Sequence, residues 1–344
     1  MSTFLGIETS CDDTSISLVK VSGEVLKLQK YTNDEDHKPF GGIVPERASR
    51  NHLKSIAGLL ANLEINFKEL SGVGYTSRPG LVGSLIVGAV AAKTLSQIHD
   101  LPLFPVNHLE GHIFSPWLFD KSLGEKQKSM AFPHLSLIVS GGHTQLVLVH
   151  GLGKYEILGS TRDDAVGEAI DKFSKALGLG FPGGPIVDQH SKGGDPEAFS
   201  FPRPMLKEPH YDFSFSGLKA SAFRTIDGKK DFSEGETSDL CASYLEACVD
   251  VLESKTKRAI LEFKPKAITL VGGVSANSLL RSRFESLSKE LNTPLYIPPL
   301  RYCTDNGAMI ALVAGLRLSN AKVDEPINFE PSSRSLPGDF LDQR

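Results

Sequence analysis

Two segments of the chain share one pattern of apolar and polar positions: an apolar run, a short turn and a second apolar run. They are residues 5–21 and 135–149, and each pattern predicts two β-strands joined by a hairpin turn. Both turns, residues 9–14 and 140–144, consist of small and polar residues whose backbone N–H groups can approach an anion closely. Because one hairpin opens each half of the chain, the pattern predicts a duplicated fold that binds one phosphate-bearing ligand from both sides.

A third segment, residues 267–281, places a buried strand before two glycines and a helix that begins near Ser275. Glycines permit tight backbone geometry, and the N-terminus of a helix favours anions and polar acceptors. Two phosphate-type hairpins followed by such a segment are the order found in the actin, Hsp70 and hexokinase (ASKHA) superfamily, where the last motif holds the adenosine. The sequence therefore predicts a duplicated α/β fold of two lobes, each a mixed sheet flanked by helices, around a central cleft.

The other periodic segments complete the two lobes. A helix with an apolar stripe begins at Pro45, and a buried helix that contains glycine is predicted at about residues 80–92. We assign residues 1–107 and about 305–335 to the N-terminal lobe and residues 108–304 to the C-terminal lobe. The C-terminal lobe is expected to contain an irregular insertion at about residues 181–235, and residues 336–344 form a tail.

Composition and charge are those of a globular protein without a disulfide framework. None of the four cysteines belongs to a CxxC pair, which argues against a zinc knuckle and favours a reducing compartment. The apolar run at residues 80–92 is too short to span a bilayer, and no signal or transit segment is recognisable. The sequence therefore predicts a cytoplasmic protein without a membrane partner, or the mature form of a protein of the mitochondrial matrix. A net charge of −4 gives no overall footprint for nucleic acid.

The hexapeptide Asn-His-Leu-Glu-Gly-His at residues 107–112 is the strongest candidate for metal chemistry. On a helix, His108 and His112 lie one turn apart on the same face, close enough to share a metal; alternatively, they are two polar residues at a helix start. Asp305 is the best candidate for a third ligand, and its alternative role is to cap the following helix. Two imidazoles and one carboxylate suit iron or zinc with open positions for a substrate.

The same hexapeptide argues against a zinc protease. The zincin motif needs a glutamate directly after the first histidine, where its carboxylate reaches the metal-bound water. Here that position is Leu109, and Glu110 points away from the face that carries the histidines. A metal at this site is therefore expected to hold oxygen atoms of a ligand rather than to activate water for peptide cleavage.

Ten short motifs occur in order along residues 5–317: GIETSCDDT, FGGIVPERASRNH, PGLVGSL, NHLEGH, VSGGHT, DDAVGEAIDK, FPGGP, FSFSGLK, VGGVSAN and CTDNGAM. In these motifs the chain resembles the tRNA N6-adenosine threonylcarbamoyltransferase family, called TsaD in bacteria and formerly labelled a glycoprotein endopeptidase. Because no extra domain is present, it resembles the bacterial or mitochondrial form. One departure is Arg78, which stands before Pro79 where the family usually has glycine. We interpret it as a tolerated surface change, with a contact to tRNA or a partner as the alternative.

The resemblance implies a reaction. Members of the family transfer the threonylcarbamoyl group of threonylcarbamoyl-AMP to N6 of the adenosine beside the anticodon, in tRNAs that read ANN codons, and release AMP. The implied partners are tRNA, a paralogous scaffold subunit of the TsaB type and an ATPase of the TsaE type, or a second copy of the chain if it is mitochondrial-like. The rival hypotheses are a small-molecule kinase of the same superfamily, a metallopeptidase and a non-catalytic subunit that binds nucleotide.

The resemblance also implies roles for individual residues. One divalent metal per subunit, Fe²⁺ or Zn²⁺, is bound by His108, His112 and Asp305, and the same cleft is expected to accept ATP, ADP or Mg²⁺ as alternatives. The residues implied to line the phosphate and acyl part of the adenylate are Ile138, Val139, Ser140, Gly141 and Gly142. Those implied to bind the ribose and adenine are Asp171, Gly184, Asp188 and Asn277.

Three acidic residues are the candidates for catalysis. Glu8 occupies the position of the acidic residue in the first phosphate motif of the superfamily, and Asp12 and Asp13 match an acidic pair near the reaction centre. The donor is a mixed anhydride and is already activated, so the reaction needs no enzyme nucleophile. We hypothesise that Asp12 or Asp13 takes the proton of the amine; the alternative is that both form hydrogen bonds within the hairpin turn.

Overall fold

The computed structural model describes residues 2–40, 42–129, 131–229, 231–320 and 330–334. In order along the chain, the strands are β1 (Thr3–Glu8), β2 (Thr14–Lys20), β3 (Val25–Tyr31), β4 (Leu70–Arg78), β5 (Leu103–Asn107), β6 (His134–Val139), β7 (Thr144–Gly151), β8 (Lys154–Ser160), β9 (Ala267–Val271) and β10 (Leu295–Tyr296). The helices are α1 (Asp34–His37), α2 (Pro45–Asn62), α3 (Val82–His99), α4 (His108–Phe114), α5 (Val166–Ala176), α6 (Gly183–His190), α7 (Ser216–Asp227), α8 (Glu234–Phe263), α9 (Ser278–Glu290) and α10 (Gly307–Asn320).

The chain divides into two compact units. Unit 1 consists of residues 1–130 and 298–344, and unit 2 consists of residues 131–297. These boundaries differ from the expected ones, because residues 108–130 and 298–304 belong to unit 1. Helix α4 stays there since it packs on α10, so closely that a Cβ at Gly111 would lie 3.0 Å from Cγ of Met309. The predicted tail at residues 336–344 lies outside the described residues.

Each unit is built on a five-stranded mixed sheet, and the two sheets have the same topology. The strand order is β3-β2-β1-β4-β5 in unit 1 and β10-β9-β6-β7-β8 in unit 2. In each sheet the hairpin-connected strands pair antiparallel, and the strands that follow helices pair parallel. The duplicated α/β fold predicted from the hairpins is thereby confirmed. Strands β3 and β8 were not predicted, because both are partly exposed and have no continuous apolar run.

Helix α10 fixes the position of the segment before it in unit 1. The helix is buried along residues 307–315 and lies against β1. A Cβ at Gly6 would lie 2.1 Å from the carbonyl oxygen of Gly307, so the close approach of helix and strand requires glycine at this position. The residues that directly precede α10, including Asp305, are consequently held next to the end of β1.

Unit 2 has a core in which Phe173 of α5 stacks on Tyr244 of α8, with 4.0 Å between ring centroids. Helices α6 and α7 lie within the segment at about residues 181–235 that was expected to be irregular, so that expectation is wrong for these parts of it. The glycine pair at the start of α6 hides its helical pattern in the sequence. Within the described residues, no helix has the length and hydropathy that a membrane span requires.

Candidate metal centre and nucleotide-binding residues

The two histidines of the hexapeptide lie on α4, which begins directly after β5. Asn107 caps the helix, because its Oδ1 accepts hydrogen bonds from the backbone N–H groups of Leu109 (2.9 Å) and Glu110 (3.4 Å). This cap starts the helix at His108, so that His108 and His112 are one turn apart. Both side chains are buried in unit 1.

Asp305 completes a cluster with the two histidines. Its Oδ1 lies 3.5 Å from Nε2 of His108 and 3.2 Å from Nε2 of His112, and the two imidazole rings meet edge to face with 4.6 Å between centroids. Candidate ligand atoms of all three residues lie within 4.8 Å of one another. Asn306, rather than Asp305, caps α10, since its Oδ1 accepts from the N–H of Met309 (2.9 Å). Capping of α10, which was the alternative role of Asp305, is thus performed by Asn306.

The spacing of these atoms fits a divalent cation. In a tetrahedral zinc site, ligand atoms about 2.0–2.1 Å from the metal are separated by about 3.3 Å. The distances of 3.2 and 3.5 Å from the carboxylate to the two Nε2 atoms agree with that spacing. Three protein ligands would leave at least one coordination position for a substrate.

Two carboxylates, those of Asp305 and Glu8, dominate the electrostatics of the cluster. Burial by itself lowers the pKa of His108, but Asp305 and Glu8 outweigh it and raise the pKa to about 9. Burial also opposes ionisation of Asp305, yet His108 and His112 hold the pKa of its carboxyl below the usual value. For His112 burial prevails, and its pKa is lowered. The pocket therefore favours cationic charge next to Asp305, which a bound divalent ion would supply.

Glu110 lies apart from the ligand atoms. Its side chain is buried, and its Oε1 accepts a hydrogen bond from Nη2 of Arg317 in α10 (2.5 Å). A protease of the zincin type needs a glutamate directly after the first histidine, and that position is Leu109 here. The ion pair with Arg317 instead fastens α4 to α10, which argues further against peptide cleavage.

The turn between β1 and β2 carries Asp12 and Asp13. Oδ2 of Asp13 forms an ion pair with Nζ of Lys30 on β3, at 2.5 Å. The same ammonium donates to Oγ1 of Thr304 (3.0 Å) and to the backbone oxygen of Asp305 (3.1 Å). Lys30 thus links the acidic turn to the segment that holds a candidate metal ligand. Lys30 was not predicted from the sequence, because it lies on a strand that the hydrophobic pattern did not reveal.

The backbone of this turn is held by side chains from elsewhere in unit 1. Nδ2 of Asn33 donates to the carbonyl oxygen of Asp12 (2.6 Å). His52, buried on α2, lies with Nε2 3.1 Å from the carbonyl oxygen of Cys11 and with Nδ1 2.7 Å from Oγ1 of Thr14. These contacts orient the turn independently of any ligand.

Arg78, which was interpreted as a tolerated surface change, is buried in the structure. Its side chain is only 7 % exposed and lies at the end of β4, with Nε 3.4 Å from Oγ of Ser77. The interpretation is therefore wrong, since a buried guanidinium belongs to the interior of unit 1.

All nine residues implied to bind the adenylate belong to unit 2, and three of them, Asp171, Asp188 and Asn277, lie in two hydrogen-bonded groups. Oδ1 of Asp188 accepts from Nδ2 of Asn277 (2.9 Å) and from Oγ of Ser278 (2.8 Å). Oδ1 of Asp171 accepts from the N–H of Gly183, beside Gly184 (2.7 Å). Ser278 was not among the predicted residues, although it directly follows the VGGVSAN motif.

The first turn of unit 2 presents its glycines to open space. Ser140 closes the turn, since its Oγ accepts from the N–H of His143 (3.0 Å). A Cβ built at Gly141, Gly142 or Gly184 would meet no described atom within 4 Å. The side chains of Ile138 and Val139 are fully buried in β6, so these two residues would reach a ligand through backbone atoms.

Glycine is also required where β9 ends. Gly272 has a φ of +92°, and a Cβ there would lie 2.3 Å from the carbonyl oxygen of Val139. The strand-glycine-helix segment therefore passes close to the start of the Ser140 turn within unit 2. Asn277 then caps α9 by accepting from the N–H of Leu280 (2.9 Å).

Comparison with known proteins identifies the family. A sequence model described as TsaD, tRNA N6-adenosine threonylcarbamoyltransferase, matches residues 24–312. This chain belongs to that family. It is accordingly a transferase that modifies tRNA.

Relatives of known name agree over nearly the whole chain. The tRNA N6-adenosine threonylcarbamoyltransferase of Bdellovibrio bacteriovorus is 47 % identical over 341 residues, which cover 98 % of both chains. The protein of the same name from Clostridioides difficile is 44 % identical over 334 residues, covering 95 % of this chain and 97 % of the relative. The resemblance seen in the ten motifs is confirmed.

Solved structures of low sequence identity share the fold. Full-length HypF, in a phosphate- and nucleotide-bound form, aligns with a TM-score of 0.59 at 14 % identity, covering 93 % of this chain and 56 % of HypF. Component A of the (R)-2-hydroxyglutaryl-CoA dehydratase of Acidaminococcus fermentans aligns with a TM-score of 0.51 at 12 % identity, covering 93 % of this chain and 100 % of component A. These neighbours confirm the predicted ASKHA-type fold.

Proposed function

We propose that the chain transfers the threonylcarbamoyl group of threonylcarbamoyl-AMP to N6 of the adenosine beside the anticodon, in tRNAs that read ANN codons, and releases AMP. The observation that carries the proposal is the cluster of the buried His108 and His112 with the half-buried Asp305 in a member of the TsaD family. A small-molecule kinase has no step that requires two imidazoles beside one carboxylate. The same is true of a nucleotide-binding subunit without activity.

The metal centre is proposed to hold Fe²⁺ or Zn²⁺ through Nε2 of His108, Nε2 of His112 and a carboxylate oxygen of Asp305. When bound, such an ion supplies Lewis acidity, which stabilises negative charge that develops on oxygen atoms of the donor. The protein contributes a rigid, buried arrangement, since α4 begins at a capped residue and α10 is packed on β1.

The residues of unit 2 are proposed to bind the adenylate. The N–H groups of the Ser140-Gly141-Gly142 turn suit a phosphate, because the glycines leave the backbone accessible. The carboxylate of Asp188 and the amide of Asn277 are already bonded to each other, and together they offer acceptors and donors for a ribose and a base.

The proposed reaction forms a bond between N6 of adenosine and the carbamoyl carbon. The bond between that carbon and the phosphate oxygen breaks, and AMP leaves with the electron pair. The amine loses one proton, for which we propose Asp12 as acceptor, with Asp13 of the same turn as the alternative. Holding the donor and the amine in line provides much of the remaining rate enhancement.

Reconstitution tests the proposed function. The purified chain is combined with a threonylcarbamoyl-AMP synthase, threonine, bicarbonate, ATP and an ANN-reading tRNA, and modified adenosine is measured by mass spectrometry of digested tRNA. Parallel reactions contain the bacterial-type scaffold subunit and ATPase. Absence of modified adenosine from both sets, with a relative from the same family active in the same mixture, would refute the proposal.

Replacing Gly184 with valine is expected to weaken binding of AMP at least about tenfold, because the new side chain enters the open space where the ribose is proposed to lie. Calorimetric titration of the full chain with AMP measures the effect. Gly235→Val is the matched control, since a Cβ at Gly235 also meets nothing within 4 Å and the residue lies in α8 of the same unit. Equal affinities of the two variants would remove Gly184 from the proposed site.

A face of α3 is proposed to bind the partner subunit. Val82, Ile86 and Val90 follow one another at intervals of four residues on one side of this helix and are 44, 46 and 58 % exposed. A contiguous apolar stripe on a soluble domain indicates a protein interface. A paralogous scaffold with the same duplicated fold would offer a matching helix, which favours a pseudo-symmetric packing of the two subunits.

Replacing Ile86 with glutamate is expected to weaken the complex with the scaffold subunit at least about tenfold, because a charge would be buried in an apolar contact. Sedimentation of the mixture measures the complex, and Leu261→Glu, which alters an exposed apolar residue of unit 2, is the control. A wild-type chain that forms homodimers and needs no scaffold would favour the mitochondrial-like form of the enzyme over a cytoplasmic bacterial form.

A further inference from the structure

The contacts of Glu8 differ from those that its position in the first phosphate motif suggests. It is the last residue of β1, and its side chain is fully buried in unit 1. A buried carboxylate is costly unless donors surround it, so its contacts indicate what it does. A carboxylate without solvent contact is also badly suited to receive an anionic phosphate.

Both oxygen atoms of Glu8 accept hydrogen bonds from protein groups. Oε1 accepts from the backbone N–H of Ser10 (2.5 Å), and Oε2 accepts from Oγ1 of Thr76 on β4 (2.6 Å). Oε2 also lies 3.1 Å from Nδ1 of His108. The strand, the turn and β4 thus hold the carboxylate in one orientation beside the imidazole.

In the neutral imidazole of His108, this arrangement determines which nitrogen carries the proton. An ionised carboxylate can only accept, so Nδ1 of His108 must be the donor to Oε2. Oγ of Ser10, 3.2 Å from the same nitrogen, is placed to share this proton. In the neutral imidazole Nε2 then has the free lone pair, and Nε2 is the atom that faces Asp305 at 3.5 Å.

We propose that Glu8 is a positioning residue that acts through His108, fixing its tautomer and ring orientation so that Nε2 is available to a divalent metal. The proposal rests on the proposed metal centre. Metal-binding histidines commonly donate their second ring N–H to a carboxylate, and loss of that partner weakens metal binding about 10- to 100-fold. The role differs from that implied by the resemblance, because Glu8 then touches neither the phosphate nor the amine.

Chelator competition with Zn²⁺ on the purified full chain tests the proposal without any activity measurement. Glu8→Gln keeps the size of the side chain, but the amide can accept hydrogen bonds through only one of its two terminal atoms. We therefore expect the dissociation constant for Zn²⁺ to rise about 10- to 100-fold. Thr76→Val removes one donor to the carboxylate and should raise the dissociation constant about two- to tenfold. Glu110→Gln is the matched control, since Glu110 is a buried carboxylate on α4 that pairs with Arg317 instead of a histidine.

A spectroscopic measurement accompanies the titration. In the zinc-loaded wild-type chain, ¹⁵N NMR of the imidazoles should show a proton on Nδ1 of His108 and metal at Nε2. Glu8→Gln should shift these resonances, whereas Glu110→Gln should not. If Glu8→Gln does not fold, as judged by circular dichroism, Thr76→Val and the wild-type spectrum still decide.

Unchanged Zn²⁺ affinity in Glu8→Gln and Thr76→Val, or metal at Nδ1 of His108 in the wild-type spectrum, would overturn the proposal. These results are separable from failure of the proposed function. A wild-type chain that binds Zn²⁺ through Nε2 but modifies no tRNA would refute the function and leave the role of Glu8 intact. Normal tRNA modification with metal affinity insensitive to Glu8 would refute only the positioning role.

Discussion

Replacing His112 with alanine is expected to remove the divalent metal from the chain and to lower tRNA modification by about three orders of magnitude, because a bound cation stabilises transition-state charge by several kcal/mol. His112 is fully buried, and its Nε2 lies 3.2 Å from Oδ1 of Asp305. Loss of a residue that supplies a ligand atom is expected to affect the bound ion more than loss of a residue that only orients a ligand. Metal content by mass spectrometry and the reconstituted transfer assay measure the two effects.

The control for this substitution is His150→Ala. His150 is an exposed histidine of unit 2 that pairs with Glu156, so its loss should alter neither metal content nor transfer. Adding excess Zn²⁺ or Fe²⁺ should restore part of the activity if His112→Ala has only weakened binding. A variant that retains one equivalent of metal and transfers at the wild-type rate would show that the cluster is not the metal centre of the reaction.

Replacing Asp12 with asparagine is expected to slow transfer about 10²- to 10⁴-fold, the usual contribution of a general base, while AMP binding stays unchanged. The reason is that asparagine keeps the shape of the turn but cannot accept the proton of the amine. The carbonyl oxygen of Asp12 still accepts from Asn33, so the backbone should hold its position. Single-turnover transfer from preformed threonylcarbamoyl-AMP and calorimetric titration with AMP give the two quantities.

Asp13→Asn provides the informative comparison. Asp13 is paired with Lys30, which also binds the segment at Asp305, so its loss should disturb the metal centre rather than the proton transfer alone. We expect reduced metal content in Asp13→Asn and wild-type metal content in Asp12→Asn. Asp120→Asn, at an exposed turn, should change neither quantity. Wild-type transfer by Asp12→Asn would remove this residue from the mechanism.

The fold could be predicted from the sequence where the local pattern of apolar and polar residues agrees with the tertiary structure. The two hairpins, β1–β2 and β6–β7, form at the predicted places because continuous apolar strands and short polar turns need no distant partner to be recognised. The helix predicted to begin at Pro45, α2, forms for the same reason, because its apolar stripe is a local pattern. The edge strands β3 and β8 were missed, since partly exposed strands lack that pattern.

The candidate site could be predicted in part from the sequence. His108 and His112 are one helical turn apart in the sequence itself, and Asp305 could be proposed as the third ligand from the motif that contains it. The link from Lys30 to Asp13 and to the backbone of Asp305 could not be predicted, because it joins three elements that are distant along the chain. The burial of Arg78 at the end of β4 was likewise invisible, since exposure depends on what packs above a side chain.

The sequence by itself determined the order of the elements, the duplication, the family and the pair of histidines on one helical face. These properties depend on residues that are neighbours or follow a local period. Only the tertiary structure decided that Glu8 lies 3.1 Å from Nδ1 of His108 and that Asn306 rather than Asp305 caps α10. It also decided that Lys30 connects the acidic turn to the segment of the candidate ligand Asp305. The physical reason is that such contacts arise from the packing of α4 and α10 against the sheet, which brings together side chains that no local pattern connects.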